Sequence, residues 1–249
     1  MRSTDLLVTS SPGWYGKLPV LGDFASRRLD QDFVDGWDSW LASGMLALRE
    51  RAENTWLDGY LASPSWRFLL MPGVLDGAAG AQAWSGVLMP SVDRVGRYFP
   101  VTIAQPLGAG LASTQQMSSL WQWLGKLDDI AADAMHEDWS VDRLEDELAR
   151  IGRMDHWEQA PEVIAMAKDA TLIRTTLAPG LGPAEWLGME TQALWRDQAR
   201  GMAYWYACAE HMAPQLLRSC GLPDVASMHM LLGSTASFHA PLNAPLNQN

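Results

Sequence analysis

Apolar residues run along this chain in two rhythms, and the changes between them mark the elements. Trp66-Arg67-Phe68-Leu69-Leu70-Met71, Val87-Leu88-Met89 and Val101-Thr102-Ile103-Ala104 are short, nearly continuous apolar runs of β-prone residues. The first two are closed by prolines, Pro72 and Pro90, and Pro106 follows the third; proline cannot donate to a sheet ladder. Trp14 to Leu18 reads as an earlier strand stopped by Pro19. Short turn-like connections join the strands at 66–71, 84–89 and 99–105, which predicts an antiparallel meander, because parallel neighbours need long crossovers.

The second rhythm is helical. After Asp30, a helix N-cap by type, Phe33, Trp37, Leu41 and Met45 recur every fourth residue, with Val34 and Leu48 beside them. Leu57 to Ala62 continues as a short helix or turn until Ser63-Pro64-Ser65 breaks it. Thr114 opens a long helix with Met117, Leu120, Trp121, Leu124, Leu127 and Ala131 on one face. Ser140 caps another, with Val141, Leu144, Leu148 and Ile151 inward and Asp142, Arg143, Glu145, Asp146, Glu147 and Arg150 on a solvated face. Further along, the pattern predicts a short helix from Pro161 through Asp169 and an edge strand over Thr171 to Leu177. Pro183 to Trp195 reads as a helix, and Met202 to Ala207 as a strand or helix end. Asp224 is placed to cap a last helix through Leu232. Met1 to Pro12 reads as frayed and Pro241 to Asn249 as a disordered tail. With no internal repeat and no linker, residues 1–249 are expected to form a single α+β domain, an antiparallel sheet with a meander core packed with several helices.

Composition trims the function classes. A formal charge of −11 argues against nucleic acid and against an anionic membrane surface, both of which select positive proteins. The uncharged stretch from Tyr98 to Gly125 invites a membrane reading, but its prolines, glycines, glutamines and serines interrupt any apolar span of about 20 residues. Leu6-Leu7-Val8 is too short an apolar run for a secretory signal, so a soluble cytoplasmic protein is expected. Cys208 and Cys220 have no histidine companions at metal spacing and read as buried thiols of a reducing compartment. Thirteen tryptophans against five phenylalanines means that most of the indoles must be core, with a minority free to anchor a partner.

The most unusual polar run lies between two of the strands. Ser91, Asp93, Arg94, Gly96 and Arg97 place a carboxylate and two guanidiniums within one turn, and Gly96 supplies its backbone freedom. Two readings stay open. In one, Asp93 pairs with Arg94 or Arg97 and fixes the connection; in the other, a spare guanidinium captures a carboxylate or phosphate of a partner protein.

The run Gly86-Val87-Leu88-Met89-Pro90-Ser91-Val92-Asp93-Arg94-Val95-Gly96-Arg97-Tyr98-Phe99-Pro100 resembles the signature of the TagF family of type VI secretion-associated proteins. Gly16-Lys17-Leu18-Pro19 with Gly22-Asp23-Phe24, then Ser63-Pro64-Ser65-Trp66-Arg67-Phe68, then Gly221-Leu222-Pro223 are similar to further landmarks of that family in the same order. The resemblance implies a bacterial, post-translational repressor of a type VI secretion system. It implies that the protein binds and sequesters the forkhead-associated scaffold protein of that system, in a pathway with a Ser/Thr kinase and a phosphatase. On this view Arg94 and Arg97, held by Asp93 and accompanied by Ser91 and Tyr98, form the partner-binding patch with Lys17 and Asp23 nearby.

Catalytic chemistry finds little support in the residues. Gly16-Lys17 is no phosphate loop, because Ser11 and Leu18 stand where a glycine and a Ser or Thr are required. His136, His156, His211, His229 and His239 fall singly, in no metal-binding spacing. A triad of Ser91, Asp93 and a distant histidine lacks a nucleophile elbow, although triads do assemble from remote positions. Asp23 reads as a cap on local amides. The expectation is therefore a binding protein without catalysis, metal or cofactor. The alternative is a hydrolase acting on a phosphorylated group through Asp93, Arg94 and Arg97.

Overall fold

A computed structural model describes residues 11–107, 114–154, 183–209 and 212–233. Its strands are β1 (Gly13–Gly16), β2 (Ala25–Arg27), β3 (Trp66–Leu70), β4 (Trp84–Met89), β5 (Val101–Pro106), β6 (Met202–Ala207) and β7 (Gln215–Cys220). The helices are α1 (Gln31–Arg51), α2 (Trp56–Leu61), α3 (Thr114–His136), α4 (Val141–Ile151), α5 (Pro183–Gln198) and α6 (His229–Leu232). The seven strands form one open sheet in the order β2-β1-β5-β4-β3-β6-β7, antiparallel at every step. The α+β class and the β3-β4-β5 meander are as the sequence predicts. Met202 to Ala207 resolves as a strand, paired with β3 through Phe68 opposite Trp205.

The central strands read as continuous apolar runs because both faces of the sheet are covered. Trp66, Phe68 and Leu70 of β3, Trp84 and Leu88 of β4 and Ala104 of β5 face Phe33, Trp37, Leu41, Met45 and Leu48 of α1. Leu69, Val87, Val101 and Ile103 alternate to the other side and meet Leu120, Leu124, Leu127 and Ala131 of α3 and Leu144 and Leu148 of α4. Trp37 is the hub of the first layer, its ring lying 5.4 Å from Phe33, 5.1 Å from Phe68 and 6.2 Å from Trp205. Its indole donates to the buried Thr102 hydroxyl at 2.8 Å. Ser140 does cap α4, accepting from the Arg143 N–H at 3.2 Å. Asp30 occupies the cap position of α1 without a side-chain hydrogen bond. Asp224 caps a single 3-10 turn, Val225–Ser227, ahead of α6.

Several expectations are corrected. Cys208 and Cys220 are exposed, since the first lies past the end of β6 and the second points off the outward face of the edge strand β7. Ser11 and Pro12 are buried, because they lead directly into β1 in the body of the sheet. Glu145 is not on a solvated face: it accepts from the Trp14 indole at 2.6 Å and pairs with Arg28, tying α4 to β1 and to the residue after β2. β2 and β7 carry no run long or apolar enough to register as strands in the sequence. The short helix at 161–169, the strand at 171–177 and the tail at 241–249 lie outside the described residues.

Candidate partner-binding turn

The turn between β4 and β5 is built around one buried carboxylate. Asp93 accepts at Oδ1 from the backbone N–H groups of Val95 at 3.0 Å and Arg97 at 2.9 Å. At Oδ2 it meets the Lys17 Nζ at 3.1 Å and the Arg97 Nε at 2.7 Å. Burial favours the neutral carboxyl, but donation from Arg97, Lys17 and Val95 outweighs it, so the Asp93 carboxyl lies well below the usual carboxylate range. Backbone bonds close the same loop, from the Asp93 N–H to the Arg97 carbonyl at 3.1 Å and from the Gly96 N–H to the Asp93 carbonyl at 2.9 Å. Gly96 takes φ +83 with open space where a Cβ would stand, so the backbone angle alone asks for glycine there.

A second loop, between β1 and β2, is laced to the first. The Arg94 N–H donates to the Leu21 carbonyl at 2.9 Å, and the Arg97 Nη2 donates to the Gly22 carbonyl and lies 3.8 Å from Asp23 Oδ1. Asp23 also accepts from the Phe24 N–H at 2.9 Å, the local cap that the sequence suggested. Beneath the turn, the Ser91 hydroxyl donates to the Lys17 carbonyl at 2.6 Å. Tyr60 of α2 clamps Ser91 from both sides, donating to its carbonyl and accepting from its N–H, each at 2.8 Å. Burial pushes the Tyr60 hydroxyl up, keeping it a neutral donor.

The predicted residues thus divide by role. Lys17, Ser91 and Asp93 are buried and hold the turn, so a partner cannot touch them. Tyr98 is half-buried against Trp56 and Tyr60 on the α2 side, in the wall of the core. Asp23, Arg94 and Arg97 are exposed. Arg97 is committed to Asp93, whereas the Arg94 guanidinium has no hydrogen-bond or ion-pair partner among the described residues. The first reading of the loop holds, through Arg97, which fixes the connection, and Arg94 is the guanidinium left over. Sequence reasoning missed Tyr60, whose role depends on a contact across 31 positions. It also left Phe24 and Val95 unassigned, and both are exposed at the same corner.

Asp93 has both oxygens occupied by internal donors, and Ser91 faces a backbone carbonyl and the Met135 sulfur at 3.1 Å. Neither is free to act as base or nucleophile. Among the described residues no group of three or more His, Cys, Asp or Glu side chains is placed to hold a metal ion. Nor is any described helix long and apolar enough to cross a membrane.

Fold and turn together define an α+β sheet protein that fixes a charged loop at one corner. The sequence model of the family described as "TagF N-terminal domain, Type VI secretion system-associated" matches residues 13–151, which run from β1 to the end of α4. Among solved structures, the chain is similar to PA0076 from Pseudomonas aeruginosa PAO1, at 33% identity and a TM-score of 0.68, over 95% of this chain and 100% of that one. No curated protein matches. The chain belongs to the TagF family of type VI secretion-associated proteins.

Proposed function

We propose that this protein is a cytoplasmic, non-enzymatic, post-translational repressor of a bacterial type VI secretion system. It acts stoichiometrically, by binding and sequestering the forkhead-associated scaffold protein. The observation that supports this reading is the turn itself: a spare, exposed Arg94 guanidinium carried on a loop that the buried Lys17, Ser91 and Asp93 hold in place. Such a loop has little freedom to lose when a partner docks, and preorganisation of this kind favours binding. The occupied lone pairs of Asp93 weigh against the hydrolase alternative.

The test is charge reversal outside the anchors. Arg94→Glu, in protein with an unchanged far-UV circular dichroism spectrum, is expected to abolish capture of the scaffold by affinity pull-down. Undiminished capture by that variant refutes the assignment of the turn. Turnover of a phosphoester substrate by purified wild type, lost in the same variant, would replace sequestration with hydrolysis.

A further inference from the structure

The charge balance and the apolar surroundings of the turn narrow what it grips, an inference that rests on the turn being the partner-facing element. The two laced loops carry three cations, Lys17, Arg94 and Arg97, against two anions, Asp23 and Asp93. Lys17 and Arg97 meet Asp93 below the surface, and Arg97 also leans toward Asp23. Arg94 is left over. Its Nη2 lies beside Gly22, 3.7 Å from where a Cβ would be, which places the guanidinium against the β1–β2 loop. The corner therefore carries one residual positive charge on a chain whose formal charge is −11.

Two apolar side chains stand out beside it. Phe24 is 44% exposed and Val95 is 64% exposed. The Phe24 ring is not loose: it stands edge-on to Phe99 at 4.8 Å, stacks on Tyr15 at 6.0 Å, and has the Lys17 Nζ 4.8 Å from its centroid. An aromatic ring fixed on its inner side and bare on its outer side presents contact area with little rotamer freedom to lose.

We propose that Arg94, Phe24 and Val95 form one docking surface for a carboxylate-bearing apolar segment of the partner. The carboxylate of an Asp or Glu sits on the Arg94 fork, and a neighbouring aliphatic or aromatic side chain packs against Phe24 and Val95. One residual cation is balanced by one carboxylate. A phosphate dianion would overshoot that charge, face the exposed Asp23 carboxylate, and find one unengaged guanidinium where phosphate sites gather several.

Two measurements on the full-length chain with the intact scaffold separate this chemistry from the location. A photoreactive benzoylphenylalanine at position 95 is expected to crosslink to the scaffold. Arg94→Gln is expected to weaken binding about tenfold to hundredfold, as for loss of a charged bidentate contact, and to flatten its salt dependence. Arg94→Lys should recover part of the loss, Phe24→Ser should weaken binding at every salt concentration, and phosphatase treatment of the scaffold should change nothing. Crosslinking together with wild-type affinity in Arg94→Gln, or loss of binding after phosphatase treatment, overturns the carboxylate assignment and leaves the location standing. Absence of the crosslink together with wild-type affinity in Arg94→Gln overturns the location as well.

Discussion

The Trp37–Thr102 hydrogen bond pins α1 to the middle of the sheet. Both residues are fully buried, and the bond joins elements 65 positions apart. Trp37→Phe removes about three ring atoms, about 2 kcal/mol of burial, plus a hydrogen bond of about 1 kcal/mol, for a total of about 3 kcal/mol. Thr102→Val is nearly isosteric, so its cost is that of leaving an indole N–H buried without an acceptor, about 2 kcal/mol. In a Trp37→Phe background that penalty has no target, and Thr102→Val should cost about 0.5 kcal/mol or less. The double variant should therefore fall about 1.5 to 2 kcal/mol short of the sum of the single variants. Urea unfolding followed by far-UV circular dichroism measures all four corners of the cycle without depending on which of the many indoles fluoresce. Additivity within about 0.5 kcal/mol would mean that the bond contributes nothing specific and that α1 is held by ring packing alone.

Other outcomes follow from the same geometry. A Cβ on Gly86 would stand 2.1 Å from the Ile103 carbonyl oxygen on the neighbouring strand. Gly86→Ala should thus force β4 and β5 apart and lower stability by about 3 kcal/mol or more, read as a fall in the urea midpoint. Ser140→Ala should cost about 1 kcal/mol by removing the cap of α4, and Ser140→Asp should restore most of it. The folded Asp93 carboxyl lies below its unfolded value of about 3.9, so its contribution is full above that pH and fades as pH falls toward the folded value. The gap in urea midpoint between wild type and Asp93→Asn should therefore be widest near neutrality and shrink below about pH 4; a gap constant from pH 6 to 3 would contradict the buried cage. Cys208 and Cys220 are exposed, so a thiol reagent should titrate both without denaturant.

Sequence alone determined the elements whose own side chains carry the signal. The four-residue apolar spacing of α1, the Ser140 cap and the proline-bounded strands β3, β4 and β5 needed no knowledge of what they touch. The ordered motif blocks likewise pointed to the family. Tertiary structure decided everything that depends on a distant neighbour. β2 is three residues long and β7 alternates without a buried face, so both exist only because β1 and β6 offer open edges to pair with. Arg94 and Arg97 look equivalent as a string, yet Lys17, just after β1, draws the Asp93 carboxylate inward, the carboxylate holds Arg97, and Arg94 is left over. Periodicity records which face of an element is apolar, whereas the division between anchor and contact residue is fixed by which charges the fold brings within bonding distance.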